Sequence, residues 1–324
     1  MYTNFRLLGS NPLESAHVPD PLLSKHVSEL FADSHIRDQI GKGIIHFSNN
    51  PLDTSELLTW EALNTLLSSD LIDHPRLRVI AKKNLYSRGY AGFMGYGVTE
   101  TGDLIPSIRP KRLLQALNDG CTLVLDRCHS YFHSIETIRR SLSYIFDCRT
   151  SANLYASWTE EPGFGLHYDD HDVVALQVSG SKFWTFHAPT LTDPLPGQKS
   201  FKYDAPTTPP IKEVMLRPGE LVYVPRGYWH DVKTMDAPSL HVSFAIPRLR
   251  YHDIAKIMLD TLLNKPEFRQ SLPLEEENQM LDVIQTEILK LFSTNDFAAW
   301  AKALRCFAIA DQPKVNLPKL TLLE

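Results

Sequence analysis

The stretch GFGLHYDDHD, residues 163–172, places two histidines and three aspartates within ten positions, directly ahead of the apolar run VVALQV. Burying that much charge costs several kcal/mol unless the groups are paired or bound to a metal. Either the cluster lies at the surface, or something holds it together. On a strand, residues two apart share a face, so His167 and Asp169 point the same way. His171 has the same parity and could replace a ligand or contact substrate; it is ranked as pocket lining. Asp170 and Asp172 point the other way and should accept hydrogen bonds from neighbouring loops.

Working outward, residues 151–246 read as short strands bounded by turns: SANLYASW, VVALQV, KFWTFH, ELVYVP, HDVKT and LHVSFAI. Such spacing suggests a sandwich or barrel, and SGSK after VVALQV reads as a tight hairpin turn. Between KFWTFH and ELVYVP, the proline-rich stretch from His187 to Gly219 is too long for a simple connection, which suits a lid or an extended groove. Upstream, HVSELFADSHIRDQIG and TSELLTWEALNTLLSSD carry helical spacing, with Thr54 and Thr59 as N-caps. PRLRVIAKKNLYSRGYAG reads as a strand entering a loop, TLVLDRCH as a strand, and SIETIRRSLSYIFD as an amphipathic helix. After Ile246, HDIAKIMLDTLLNK, PLEEENQMLDVIQTEILKLF and DFAAWAKALRCF again read as amphipathic helices, and KVNLPKLTLLE as a last strand.

A second polar position lies in ELVYVPRGYWHDV, where His230 follows the turn Pro225-Arg226-Gly227. Two histidines and one carboxylate on neighbouring barrel strands make the facial triad of non-heme Fe(II) oxygenases, which leaves three coordination positions open. A metal would neutralise the carboxylate and needs uncharged imidazoles. The competing reading is an aspartate paired with surface histidines.

SANLYASWTEEPGFGLHYDDHDVVALQVSGSKFW, followed by LRPGELVYVPRGYWHDV, resembles the JmjC-type cupin oxygenases of the ribosomal oxygenase group (the Cupin-4 family), with a looser likeness over roughly residues 40 to 250. The resemblance implies a double-stranded β-helix enzyme that uses Fe(II), 2-oxoglutarate and O2 to hydroxylate side chains. It places the metal on His167, Asp169 and His230, and the distal carboxylate of 2-oxoglutarate on Lys182. It matches Tyr155 to a cosubstrate-contacting tyrosine. Asn153 and Ser243 are polar strand residues that could face the same pocket. Tyr228 and Trp229, beside the third ligand, are candidate aromatic walls for a substrate. His241 and His187 read as ordinary strand histidines.

The fold expected is mainly β with flanking helices: a double-stranded β-helix (jelly-roll or cupin, JmjC-like) core followed by a small C-terminal helical region. The expected divisions are a mixed α/β region over 1–118 packing on the barrel, the catalytic core over 119–250, and a helical region over 251–324 that mediates a homodimer, as relatives dimerise through helices after the barrel. That last region is too short for the winged-helix module many relatives carry.

With 43% hydrophobic and 22% charged residues and a formal net charge of -5, the chain carries no global electrostatic argument for nucleic-acid binding. The N-terminus has no secretory pattern, no apolar run is long enough to span a membrane, and four cysteines without a CxxC pair suit a reducing, cytoplasmic setting. The function these readings favour is hydroxylation of a side chain in a protein or peptide. Behind it stand a small-molecule or free amino acid hydroxylase, an N-methyl demethylase of the same class, and a non-oxidising metal cupin, which would have no need of Lys182.

Overall fold

The computed structural model describes residues 21–49, 51–69, 71–80, 92–160, 163–271, 282 and 284–290. The chain divides into two compact units, one of Val18–Phe146 with Thr150–Pro247, the other holding Asp147–Arg149 and the residues from Arg248 onward. The larger unit opens with helices α1 (Pro21–Leu30) and α2 (Ser34–Gln39), strand β1 (Ile45–Phe47), helix α3 (Trp60–Leu67) and strand β2 (Leu77–Ile80). Asp33 caps α2 by accepting from the His35 and Ile36 amides, and Thr59 caps α3 through the Ala62 amide. Thr54 begins no helix; its hydroxyl donates to the Val178 carbonyl at 3.0 Å. The rest of the segment that begins at Pro75 lies outside the described residues.

Next come the hairpin β3 (Met94–Val98) and β4 (Leu104–Ile108), helix α4 (Pro110–Asn118), β5 (Thr122–Leu125) and α5 (His133–Phe146). Then follow β6 (Ser151–Ser157), β7 (Asp172–His187), β8 (Lys212–Leu216), β9 (Leu221–Val224) and β10 (Trp229–Ile246). The main sheet is antiparallel in the order β1-β9-β7-β10-β6-β5-β2, with β8 also on β7. The 1–118 region therefore contributes β1 and β2 to the sheet itself. Ile135, Ile138 and Leu142 of α5 are fully buried, and the helix lies against β6 and β10. The interior cluster comprises Val173, Ala175, Trp184, Phe186, Val214, Leu216, Val222 and Val224, with Ile44.

The two long strands correct the sequence reading. SGSK is not a hairpin: β7 runs through it without reversing, and β10 joins the expected HDVKT and LHVSFAI strands into one. Both halves of β7 pair with β10, from Trp229↔His187 to Ile246↔Asp172, with irregular register between Thr234 and His241. The irregularity shifts strand parity. Odd residues of β7 (Val173, Ala175) face the interior before it and even residues (Trp184, Phe186) after it. The long connection expected up to Gly219 is also interrupted, because β8 pairs with β7 from Lys182↔Leu216 to Phe186↔Lys212.

In the smaller unit, α6 (Tyr251–Asp260) buries Met258, and Arg250 and Asp253 form a reciprocal cap at its start. Residues 284–290 are helical. Most of the two later helices and the last strand read from the sequence lie outside the described residues. Cys121, Cys128 and Cys148 are buried, and Cys306 lies outside the described residues. Among the described residues no helix is long and apolar enough to cross a membrane.

Gly180 sits at the parity shift with φ +64°, and a Cβ there would lie 2.4 Å from the Asp236 carbonyl oxygen and 2.7 Å from that of Pro238. Gly180→Ala is expected to cost roughly 1–3 kcal/mol from left-handed backbone strain alone. Urea denaturation measures it; an unchanged midpoint would show that the bend does not depend on glycine.

Candidate active site

His167 precedes β7 and forms a two-residue antiparallel bridge with His230 at the start of β10. Each backbone N–H donates to the other's carbonyl, at 3.0 Å from His167 and 2.7 Å from His230. The imidazoles thereby come to 4.3 Å between ring centroids. A carbonyl oxygen can only accept, so the Nδ1 contacts fix both tautomers. His167 Nδ1 donates to the Gly165 carbonyl at 2.8 Å and His230 Nδ1 to that of Tyr228 at 3.1 Å. Both Nε2 lone pairs are left for a ligand, the backbone-fixed arrangement that metal-binding histidines use.

Asp169 completes the group: its carboxylate lies 3.8 Å from His230 Nε2, and ligand atoms of His167, Asp169 and His230 all fall within 4.8 Å of one another. The Gly227 N–H donates to the Asp169 carbonyl at 3.0 Å, tying the PRG turn to the HxD segment. Burial pushes the Asp169 carboxyl up, but the surrounding histidines outweigh it and hold it below the ordinary range. Burial and the neighbouring His167 pull His230 down to about 4, so it is the uncharged form that a metal requires. Two imidazole nitrogens and one carboxylate converging within 4.8 Å fit a divalent metal of the facial-triad type.

These residues stand at one end of a cavity of about 250 Å³. Its other end is polar. Lys182 on β7 is 3% exposed; its Nζ donates to His241 Nδ1 at 2.8 Å and to Ser157 Oγ at 3.3 Å. Among the described residues no carboxylate pairs with it. Burial alone pulls its pKa from 10.5 down to about 7. His241 is held well below its usual value by burial and then by Lys182. Tyr155 pairs across the sheet with His241 and stacks on it, centroids 4.8 Å apart and planes 8° from parallel.

The remaining sequence candidates separate by face. Asn153 and Ser243, a cross-strand pair, line the cavity together with His171. Asn153 Oδ1 also accepts from the Arg127 amide at 2.9 Å. Tyr228 and Trp229 do not line it, which corrects the expectation that they wall a substrate pocket. Trp229 neighbours His230, so strand alternation turns it to the opposite face, where it is 2% exposed and meets the Tyr168 ring edge-on at 5.0 Å. Tyr228 packs on the interior cluster and donates its hydroxyl to the Lys42 carbonyl at 2.8 Å. His187, at the end of β7, places Nδ1 3.1 Å from the Thr208 carbonyl oxygen. The residue that sequence reasoning passed over is His241. Only its register opposite Tyr155 and its approach to Lys182 reveal it.

Asp170 and Asp172 accept hydrogen bonds on the outer side. Asp172 takes the Tyr223 hydroxyl at 2.6 Å and the Arg226 amide at 3.0 Å. Asp170 takes the Gly197 amide at 2.7 Å and Lys199 Nζ at 3.0 Å. Burial raises the Asp170 carboxyl, but these donors and His171 prevail and bring it to about 2.

Comparison with known proteins agrees with this geometry. Residues 128–254 match the JmjC domain family model. The bifunctional lysine-specific demethylase and histidyl-hydroxylase NO66 of Drosophila persimilis is 32% identical over 168 residues, covering 51% of this chain and 24% of that protein. Ribosomal oxygenase 1 of Gallus gallus is 30% identical over 188 residues, covering 55% and 31%. The chain thus spans less than a third of the length of these two relatives. Among solved structures, E. coli YcfD superposes with a TM-score of 0.55 at 15% identity, over 83% of this chain and 71% of that one. YcfD as a ribosomal oxygenase in complex with cobalt and 2-oxoglutarate gives 0.51 at 16% identity, over 83% and 70%. Those superpositions speak to the fold alone, an antiparallel β core with flanking helices. Residues 128–254, which hold every candidate ligand, match the JmjC domain model, and the chain is similar over about half its length to NO66 and ribosomal oxygenase 1.

Proposed function

We propose that this chain is an Fe(II)- and 2-oxoglutarate-dependent oxygenase that hydroxylates a side chain of a protein or peptide. One observation carries the reading: a His-Asp-His set and a buried lysine that no carboxylate among the described residues pairs with face each other across one cavity. A keto acid with a second carboxylate suits both ends. A protein substrate is supported by the relatives, described as histidyl-hydroxylase and lysine-specific demethylase or as ribosomal oxygenase.

His167, Asp169 and His230 would hold Fe(II), with the backbone bridge keeping both imidazoles aimed. Lys182 would receive the distal carboxylate of 2-oxoglutarate as a point charge, steadied by Ser157 and His241, while Tyr155 stacks on His241 and fixes its plane. Bound Fe(II) with 2-oxoglutarate supplies the oxidising chemistry from O2; the protein positions the groups and excludes side reactions. The non-oxidising cupin alternative leaves Lys182 buried without a role.

The helical region after Ile246 is proposed to mediate a homodimer, since amphipathic helices must bury their apolar faces. A cytoplasmic location is in keeping with the buried free thiols of Cys121 and Cys128. A dimeric mass by light scattering at micromolar concentration is the expected result, and a monomeric mass overturns the dimer.

Replacing His167, Asp169 or His230 by alanine is expected to abolish 2-oxoglutarate turnover while leaving the circular dichroism spectrum unchanged, because all three side chains end in the cavity and the strand pairing around them is made by the backbone. Anaerobic Fe(II) plus 2-oxoglutarate should give a weak visible charge-transfer band with the wild type and not with these variants. Near-normal turnover by Asp169→Ala would exclude the triad.

Lys182 also gives the site a pH dependence. Its folded pKa of about 7 lies below the ordinary 10.5, so the charged form is disfavoured in the unliganded protein. A bound carboxylate favours the ammonium, so binding 2-oxoglutarate above pH 7 must take up a proton, and affinity should fall as pH rises beyond that point. Calorimetry at pH 8 in buffers of different ionisation enthalpy should report this uptake. Lys182→Ala should abolish it and weaken binding by roughly 2–5 kcal/mol, with Lys182→Arg milder. Unchanged affinity in the alanine variant would mean that another residue holds the cosubstrate.

A further inference from the structure

The segment between β7 and β8 is fastened to the outer side of both ligand-bearing stretches. Trp229 Nε1 donates to Thr190 Oγ1 at 3.0 Å. Arg226 grips Asp193 through Nε at 2.9 Å and Nη2 at 2.7 Å. Gly227 passes so close that a Cβ would lie 2.8 Å from the Leu191 carbonyl oxygen. The third fastening is Asp170, only 7% exposed. Its Oδ2 accepts from the Gly197 amide at 2.7 Å, and its Oδ1 from Lys199 Nζ at 3.0 Å.

Asp170 differs from the other two ties because the same Oδ1 also accepts from His171 Nδ1 at 3.1 Å, and His171 lines the cavity. The neighbours alternate: Asp169 and His171 face the cavity, and Asp170 between them faces the segment. Among the described residues, Asp170 is the hydrogen-bond partner of His171, which leaves Nε2 as the ring nitrogen available to a ligand. A histidine whose one nitrogen is held by a carboxylate has its ring plane and its second nitrogen fixed.

We propose that Asp170 is a positioning residue that couples the 188–204 segment to His171, so that the docked segment sets how His171 presents its Nε2 to a substrate. Of these ties, Asp170 is the one whose side chain also bonds a cavity-lining ring. Lys199 and Gly197 hold one side of Asp170, and the imidazole hangs from the other. Loosening the segment therefore frees a ring that touches the substrate, while the triad and Lys182 stay on the paired strands. The substrate such a ring would recognise carries a polar group able to hydrogen-bond beside the carbon that is oxidised. This inference rests on the oxygenase reading of the cavity.

The test uses the full chain, labelled with ¹⁵N-histidine and loaded with Zn(II) and 2-oxoglutarate. The His171 ring signals are assigned by their loss in His171→Gln. In the wild type, His171 should carry its proton on Nδ1 and exchange it slowly. Lys199 is half exposed and bonds Asp170 rather than a triad side chain, so Lys199→Ala should fold. It is expected to speed exchange of the His171 Nδ1–H about tenfold or more, the scale set by loss of one charge-assisted hydrogen bond, with Lys199→Arg restoring protection. 2-Oxoglutarate affinity, followed by the Fe(II) charge-transfer band under anaerobic conditions, should stay at the wild-type value in Lys199→Ala. Unchanged His171 protection in Lys199→Ala would overturn the coupling. A missing charge-transfer band in the wild type would instead remove the oxygenase reading, so the two failures are told apart.

Discussion

Everything at the candidate site depends on the pairing of β7 with β10, which runs from Trp229↔His187 to Ile246↔Asp172. Two long antiparallel strands with no irregularity would keep one parity facing inward throughout. Here the register slips between Thr234 and His241, where Gly180 on the facing strand takes a positive φ. The slip changes which residues look into the barrel. On β10, His230, Val232 and Thr234 line the cavity before it, and His241, Ser243 and Ala245 after it. On β7, Val173 lines the cavity before it, and Lys182 and Trp184 after it. One irregularity thus lets the same two strands furnish both polar ends of a single pocket.

The two ends face opposite electrostatic problems. At the mouth, a carboxylate and two imidazoles converge; the ring nitrogens left over point at a common centre, so the favourable neutralisation comes from a cation. At the far end, the Lys182 amine is buried against a neutral histidine and a serine hydroxyl, and burial penalises its charged form. A buried lysine with no acid beside it among the described residues is poised for an anion. The arrangement explains why a metal chelator with a distant carboxylate suits this cavity better than a plain metal ligand would.

The outer surface of the same stretches works differently. Asp170, Asp172, Arg226 and Trp229 alternate with or adjoin the cavity-facing residues and turn to Tyr223, Thr190, Asp193, Gly197 and Lys199. The burial cost of the outer aspartates is met by backbone amides, a tyrosine hydroxyl and a lysine. That answers the question raised by the density of charge in GFGLHYDDHD: His167, Asp169 and His171 face the cavity, while Asp170 holds the 188–204 segment and Asp172 the turn at Arg226.

Much of this was legible in the linear order of residues because it depends on a local period. A spacing of two puts His167 with Asp169 and sends Asp170 away, whatever the strand pairs with. The same rule, applied one residue further, should have turned Trp229 away from His230, and the structure does so. Helix α3 begins at Thr59, as its capping chemistry indicates. What only the tertiary structure decided are the features that need a partner strand. SGSK carries the residues of a tight turn, yet β7 continues through it, because both halves find hydrogen bonds on β10. His241 looks like any strand histidine until register sets it against Tyr155 and the shifted parity brings Lys182 within 2.8 Å. Local sequence determines which side chains share a face; which face becomes the inside of a barrel is settled by pairing between residues some sixty positions apart.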